Sequence, residues 1–326
     1  MSLLSLVVPS HNEAESLPFL FDEINHVAQE MMQEYQDLAI EVIVVDDGST
    51  DHTLDVLKKY SASQSQTQAP LLFSLRWISF SRNFGKEAAL YAGLCNAHGD
   101  YVATMDADLQ DPPSLLPTMY DILTTTDYDN VATYRTTRKG EPPIRSLFAK
   151  MFYKLINKLS KTKIVDGARD YRMMNRTMVN AILKMGEFNR FSKGVYGWVG
   201  FKTKWLPFEN VERVAGKSNW NFFSLFSYSL EGILAFSTKP LSIASISGIV
   251  MCLVAFIALI VIIVKTLLFG DPVSGWPSLA CLILFVGGLQ LLCLGIIGKY
   301  LAKTYLETKD RPLYLIRETN LEDPVQ

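Results

Sequence analysis

Short aliphatic runs alternate with stretches of helical periodicity from residue 1 to about 140. Ser5-Leu6-Val7-Val8 reads as a buried strand stopped by Pro9, and Ala14 to Tyr35 as a helix. Glu41 to Val45 is β-branched and continuous, the pattern of a parallel strand covered on both faces. Thr50 to Tyr60 predicts a helix, and the Ser/Gln-rich Ser61 to Ala69 an exposed loop. Leu75 to Phe80 is a third strand, Lys86 to Ala97 a helix and Tyr101 to Met105 a fourth strand. Strand–helix alternation of this kind implies an α/β fold, an open and mostly parallel sheet with helices on both faces.

The second half follows another pattern. Leu147, Phe148, Met151, Phe152, Leu155, Ile156 and Leu159 recur at helical spacing among lysines and Arg145. This predicts a basic amphipathic helix over about 145–160, suited to an anionic membrane surface, although a core-facing stripe has the same spacing. Residues 220–239 are aromatic-rich and read as a second interfacial helix. Pro240 to Val264 and Pro272 to Gly298 then carry no charge, and each is long enough for a helix to cross the ~30 Å hydrocarbon core. The expected organisation is a cytoplasmic domain over 1–219, the interfacial helix, two transmembrane helices within 240–303 (about 240–264 and 277–298) and a tail over 304–326. Lys239, Lys299, Lys303, Lys309 and Arg311 flank the outer ends, whereas the connector offers only Lys265. The positive-inside rule puts the large domain and both termini in the cytoplasm, as a multi-pass protein of the cytoplasmic membrane. The apolar opening Leu3 to Val8 is too short for a signal peptide. Gly287, Gly288, Gly295 and Gly298 would allow close helix approach, within the hairpin or in a homo-oligomer.

Composition narrows the classes. Of 326 residues, 49% are hydrophobic, so the chain is not disordered. Lys and Arg number 31 against 33 Asp and Glu, a net charge of −2, and no global basic field exists to hold nucleic acid. Four cysteines without a Cys-x-x-Cys pair argue against structural zinc and a disulfide framework. His11, His26, His52 and His98 follow no metal-ligand spacing. Spans without a charged residue argue against a pore.

All four strands end in polar clusters: Pro9-Ser10-His11-Asn12-Glu13, Asp46-Asp47-Gly48-Ser49-Thr50-Asp51, Ser81-Arg82-Asn83-Phe84-Gly85-Lys86-Glu87 and Asp106-Ala107-Asp108-Leu109-Gln110-Asp111. One such cluster is an ordinary turn; four on the carboxyl edge of one parallel sheet mark a ligand site. No Gly-x-Gly-x-x-Gly follows the first strand, and Val211 stands where a P-loop ending in Gly216-Lys217-Ser218 would need its first glycine. Asp106-x-Asp108 can be a turn with solvated acids. At the end of a buried strand it can also hold one hard divalent cation, leaving positions open for substrate phosphates.

These clusters together resemble family 2 glycosyltransferases of the A-type fold. The likeness is strongest to those that act on polyprenyl phosphates, the bactoprenol glucosyltransferases and dolichol-phosphate mannose synthase. Asp170-Tyr171-Arg172 resembles their Asp-Phe-Arg motif, Arg190-Phe191 with Gly194, Trp198 and Gly200-Phe201 the segment after it, and Gly216-Lys217-Ser218-Asn219-Trp220 their Gly-Lys-Ser-Lys-Trp. His11, Tyr171 and Asn219 depart from the commoner Tyr, Phe and Lys, and none of these changes removes a carboxylate. The resemblance implies inverting transfer of a sugar from a nucleoside-diphosphate sugar to a polyprenyl phosphate. UDP-glucose and undecaprenyl phosphate are the first choice; UDP-N-acetylglucosamine, UDP-galactose and GDP-mannose fit the same motifs.

By that resemblance Pro9, Glu13 and Asp46 line the nucleoside pocket, with Asp47 either beside them or capping the turn. Arg82 and Lys86 are cations near the donor, and Gln110 is a candidate for its diphosphate. A leaving diphosphate gains charge that a metal neutralises, so Asp106 and Asp108 are the expected site for Mg²⁺ or Mn²⁺, Asp108 the more direct ligand. Asp170 is expected near the reacting centre, as a base or, alternatively, as an ion-pair partner of Arg172 or Arg169. Arg135, Arg138 and Lys217 are candidates for the acceptor phosphate. Two readings compete. A processive polysaccharide synthase would carry Gln-x-x-Arg-Trp, absent from this chain. A non-catalytic membrane scaffold with a relic nucleotide pocket would have no reason to retain Asp106, Asp108 and Asp170.

Overall fold

The computed structural model describes residues 2–63, 71–136, 165, 167–208, 239–269 and 275–325. They fall in two units, one carrying the sheet together with residues 312–325, the other carrying two long helices. The expected amphipathic helix at 145–160, the interfacial helix at 220–239 except for its last residue, and site candidates Arg138 and Lys217 lie outside the described residues.

In the first unit β1 (Ser2–Ser10), β2 (Leu38–Asp46), β3 (Ser74–Phe80) and β4 (Tyr101–Thr104) fall on the four apolar runs. They alternate with α1 (Leu17–Glu34), α2 (Thr53–Ser63) and α3 (Lys86–Asn96). Then come α4 (Leu116–Thr125), β5 (Asn130–Arg135), β6 (Ala168–Asn175), α5 (Arg176–Leu183), α6 (Ser192–Trp198) and β7 (Thr203–Phe208). A last strand, β8 (Ile316–Thr319), completes an eight-stranded sheet of order β7-β5-β6-β4-β1-β2-β3-β8. Its core β4-β1-β2-β3 is parallel, while β6 runs antiparallel to β4 and β5, and β8 antiparallel to β3.

Alternation along each strand sorts the two faces. Leu4, Leu6 and Val8 of β1, with Val42 and Val44 of β2, share a buried cluster with α1, α2 and α4. Val7 and Val45 point to the opposite face, against α3. A Cβ added at Gly93 of α3 would lie 2.2 Å from Val7 Cγ1, so only glycine lets this helix approach so closely. Helices on both faces explain why the strands read as unbroken apolar runs. The chain order reverses between β1 and β4, and such a switch point opens a crevice at the carboxyl ends of the strands.

Two boundaries shift. The helix expected from Thr50 begins at Thr53, because Asp51 accepts from the Thr53 amide at 3.0 Å and spends the intervening residues on a turn. The segment expected as a tail over 304–326 carries secondary structure. Residues to Thr308 continue a helix, and β8 then pairs with β3.

The second unit contains α7 (Lys239–Phe269) and α8 (Trp276–Thr308), both longer than the expected 240–264 and 277–298. They meet where Cys293 Sγ donates to the Ala244 carbonyl at 3.6 Å. Outward side chains are apolar, among them Ile249, Leu253 and Phe256 on α7 and Leu282, Leu291 and Leu294 on α8. Among the described residues one stretch, Phe285–Thr308, is long and apolar enough to cross a bilayer. An added Cβ at Gly287, Gly288, Gly295 or Gly298 meets nothing within 4 Å, so these glycines serve no close approach between described residues.

Candidate active site

The loops after β1, β2 and β3 are built on one another. Asn12, left-handed at φ 58°, accepts from the Thr50 amide at 2.9 Å, and its own amide donates to Ser49 Oγ at 2.8 Å. The Glu13 amide donates to Thr53 Oγ1 at 2.9 Å, and the Glu13 carboxylate accepts from Ser16 Oγ at 2.7 Å. Asp46, 1% exposed, accepts from the Ser49 amide at 3.0 Å and from Ser79 Oγ at 2.7 Å. Asp47 accepts from the amides of Phe84 at 2.6 Å and Gly85 at 2.9 Å. Burial pushes its carboxyl up, and the amide hydrogen bonds hold it back only in part. Asp47 therefore takes the structural role, shaping the loop ahead of α3. Gly48 has φ +64°, and a Cβ there would lie 2.3 Å from the Arg82 carbonyl carbon, so the second and third loops lie back to back.

The fourth loop is different. Leu109 adopts φ 58°, uncommon for a bulky residue, and Asp108 Oδ1 accepts from the Gln110 amide at 3.1 Å, closing a tight turn. Asp111, fully buried, accepts from the Asp106 amide at 3.3 Å and from Arg169 Nε at 3.0 Å. Lys86, the first residue of α3, places Nζ 2.5 Å from Asp106 Oδ1 and 3.0 Å from Asp170 Oδ2. Arg169 approaches the other Asp106 oxygen at 3.6 Å. Burial alone would raise the Asp170 carboxyl. The Lys86 ammonium, with Lys193, outweighs it and holds the group well below the usual carboxylate range. Asp106 is likewise lowered: burial opposes its charge, and Lys86 and Arg169 favour it more strongly.

Helix α3, the loop after β4 and strand β6 thus bring Lys86, Asp106 and Asp170 together from three distant segments. The ion pair from Asp170 to Arg172 or Arg169 that the sequence allows is replaced by the one to Lys86. Arg169 turns to Asp106 and Asp111, while Arg172 is buried with its guanidinium 3.6 Å from the Tyr196 ring centre. Gln110 accepts from Arg135 at 2.7 Å, which ties an acceptor candidate to a donor candidate. Arg82 is exposed over the Phe84 ring at 3.9 Å, and Pro9 is buried within β1 opposite Val45. Two groups carry more than their sequence signal suggested. Asp111 and Arg169 anchor the fourth loop, and Glu87 accepts from the Ser192 amide at 2.9 Å, joining α3 to α6. Asp111 and Glu87 are each visible as the last acid of a polar strand-end cluster, but the sequence assigns neither a role.

The glycosyl transferase family 2 model matches residues 5–183, from β1 through α5. The chain belongs to glycosyl transferase family 2. It is 41% identical over 322 residues, 98% of this chain and 92% of the other, to a chain named as a glycosyltransferase, CsbB, from Bacillus subtilis (strain 168). It is 39% identical over 314 residues to the prophage bactoprenol glucosyl transferase homolog of Escherichia coli (strain K12), covering 96% of this chain and 98% of that one. It is 38% identical over 321 residues to the bactoprenol glucosyl transferase of Shigella phage SfII, covering 98% and 99%. Asp106, just past β4, and Asp170, in β6, both lie within the matched region.

For a family 2 enzyme the donor set of the fourth loop suits a hard cation. Asp106 and Asp108 offer carboxylate oxygens two residues apart at one turn, the donor type that an Mg²⁺-like ion takes while completing its shell with waters and substrate phosphates. No group of three or more His, Cys, Asp or Glu side chains forms a metal cage among the described residues. The arrangement is thus a pair of carboxylates at one turn, with the Lys86 ammonium and Arg169 against Asp106.

Proposed function

We propose that this family 2 enzyme transfers glucose from UDP-glucose to undecaprenyl phosphate with inversion, at the cytoplasmic face of the membrane. The observation that carries the reading is the meeting of Lys86, Asp106 and Asp170 at the switch point of a family 2 sheet. Relatives named for glucosyl transfer to bactoprenol, matched over nearly their whole length, support the acceptor and the sugar.

In this reading Pro9, Glu13 and Asp46 line the nucleoside pocket, and Asp106 and Asp108 hold Mg²⁺ or Mn²⁺. The ion supplies charge neutralisation to the departing diphosphate. Gln110 and Arg82 face the donor, and Lys86 holds Asp106 and Asp170 at a fixed spacing. Arg135, Arg138 and Lys217 receive the acceptor phosphate. Asp170 lies near the reacting centre and acts through its ion pair with Lys86 rather than by deprotonating that phosphate. A carboxylate held so far down is a weak base, and a phosphate monoester is already anionic at neutral pH. Helices α7 and α8 cross the bilayer as a hairpin with both termini in the cytoplasm, supported by the uncharged run at 240–264, the apolar stretch Phe285–Thr308 and the cations at the outer ends.

The test is transfer from a panel of labelled UDP- and GDP-sugars to undecaprenyl phosphate in detergent, with Mg²⁺, Mn²⁺ or EDTA. The reading predicts a lipid-extractable glucoside, from UDP-glucose, lost with EDTA. A product from another donor corrects the sugar. A product that survives EDTA sinks the metal assignment, and no lipid product from folded protein sinks the transferase reading.

A further inference from the structure

The segment after α8 does not hang free. Tyr314 is 2% exposed, and its ring stacks on Phe80, the last residue of β3, at 4.9 Å and 16° between planes. Phe84 meets the same Phe80 ring edge-on at 5.7 Å, and Arg82 covers Phe84. The Ser81 amide, first in the third loop, donates to the Leu315 carbonyl at 2.9 Å. Thus the strap reaches the loop from one side while Asp47 holds it from the other through the Phe84 and Gly85 amides.

The strap's far end returns to α3. The Val325 amide donates to Asn96 Oδ1 at 2.9 Å, and the Tyr314 hydroxyl donates to the Val325 carbonyl at 2.6 Å. Asn96 is the last residue of α3 and Lys86 the first. In between, Asn320 ties the strap to β3, accepting from the Trp77 amide at 2.7 Å and donating to the Leu75 carbonyl at 3.0 Å. One segment therefore grips the helix at its carboxyl end and the loop that leads into its amino end.

We propose that residues 312–325 are a positioning strap for the active site. Through the Tyr314–Phe80–Phe84 aromatic cluster they fix the loop and helix that present Lys86 to Asp106 and Asp170. Tyr314 touches no reacting group and acts only through the loop. A buried aromatic that served the core alone would change stability and leave the reaction geometry of the folded enzyme intact. A positioning residue changes the geometry as well, and a misplacement of about 1 Å costs on the order of a hundredfold in rate.

The kinetic arm rests on the proposed transfer reaction; a second arm does not. Full-length Tyr314→Ala, Tyr314→Phe and, as a stability control, Leu123→Ala in α4 are compared with wild type by amide exchange and by glucosyl transfer. In Tyr314→Ala the Phe84 and Gly85 amides should exchange at least about tenfold faster while β1 and β2 stay protected. Transfer per folded molecule should fall about tenfold or more, mainly in kcat. Tyr314→Phe keeps the stack and should restore both. Leu123→Ala should lower the melting temperature and move neither. Unchanged exchange at Phe84 and Gly85 overturns the strap, as does equal kinetic loss in Leu123→Ala. If wild type transfers no sugar but the exchange pattern is as described, the strap stands and the assigned reaction falls.

Discussion

The second and fourth loops of the sheet edge are both rich in aspartate, and they use it in opposite ways. In the second loop the carboxylates of Asp46, Asp47 and Asp51 accept from uncharged donors: the amides of Ser49, Phe84, Gly85, Thr53 and Ala14 and the hydroxyls of Ser79 and Thr53. In the fourth, Asp106, with Asp170 beside it, faces the cations of Lys86 and Arg169, while Asp111 takes Arg169 together with the Asp106 amide and Asp108 takes the Gln110 amide. A carboxylate that satisfies backbone amides is committed to the fold, because each released amide is left buried and unpaired. A carboxylate that faces a side-chain ammonium can exchange that partner for a metal ion. Residue type and position at the sheet edge are shared. Asp47, held by two amides, and Asp106, facing two cations, are the clearest cases, whereas Asp108 and Asp111 of the fourth loop also accept from backbone amides.

Substitutions sharpen this contrast. The largest effect should come from Asp108→Asn, which removes a proposed ligand: initial rates of lipid-linked product should drop by about a thousandfold or more with little change in melting temperature. Lys86→Met should follow, with a loss on the order of a hundredfold in kcat, since Asp106 and Asp170 lose the cation that spaces them. Asp47→Ala belongs to the other class. It strands two amides and should cost about 2 kcal/mol in a denaturant titration, with a smaller loss of rate per folded molecule than Asp108→Asn. If Asp47→Ala loses rate as deeply as Asp108→Asn at unchanged stability, the division between building and reacting loops breaks.

The smallest effect is in pH dependence. The hydrogen bonds to Thr53 and Ala14 lower the Asp51 carboxyl, overcoming the opposing effect of burial. A depressed carboxylate stabilises the fold above its unfolded value and loses that contribution as pH falls through its folded value. The stability gap between wild type and Asp51→Asn should therefore be full near neutral pH and narrow below the ordinary value of 3.8. Asp47 is raised, so ionisation costs the fold stability as pH climbs from the unfolded value through the folded one. The Asp47→Asn gap should change in the opposite sense over that window.

Much of the parallel core was legible because strands covered on both faces leave unbroken apolar runs, as in Val42 to Val45. The polar ends were legible because four turns in succession break those runs on one edge. The partners of the acids were not. Asp170 has Arg169 and Arg172 as sequence neighbours, yet antiparallel pairing of β6 with β4 sets it against Lys86 of α3. Only the sheet order determines that. Strand β8 was equally hidden: Ile316–Thr319 is short, carries Arg317 and Glu318, and owes its place to the burial of Tyr314 and the ties of Asn320. The split between Asp46 and Asp47 was half-visible, since adjacent residues of a strand end point to opposite sides, but which one clamps the third loop depends on the close approach at Gly48.

The central claim is that Asp106 belongs to the chemistry and not to the scaffold. Single-turnover transfer of labelled glucose from UDP-glucose to undecaprenyl phosphate, with wild type and Asp106→Asn at matched folded concentration, tests it most directly. The account predicts a lipid-linked product from wild type and a rate at least about a hundredfold lower in Asp106→Asn, with both proteins melting alike. Equal rates, or a lost rate that follows a lost fold, would contradict it.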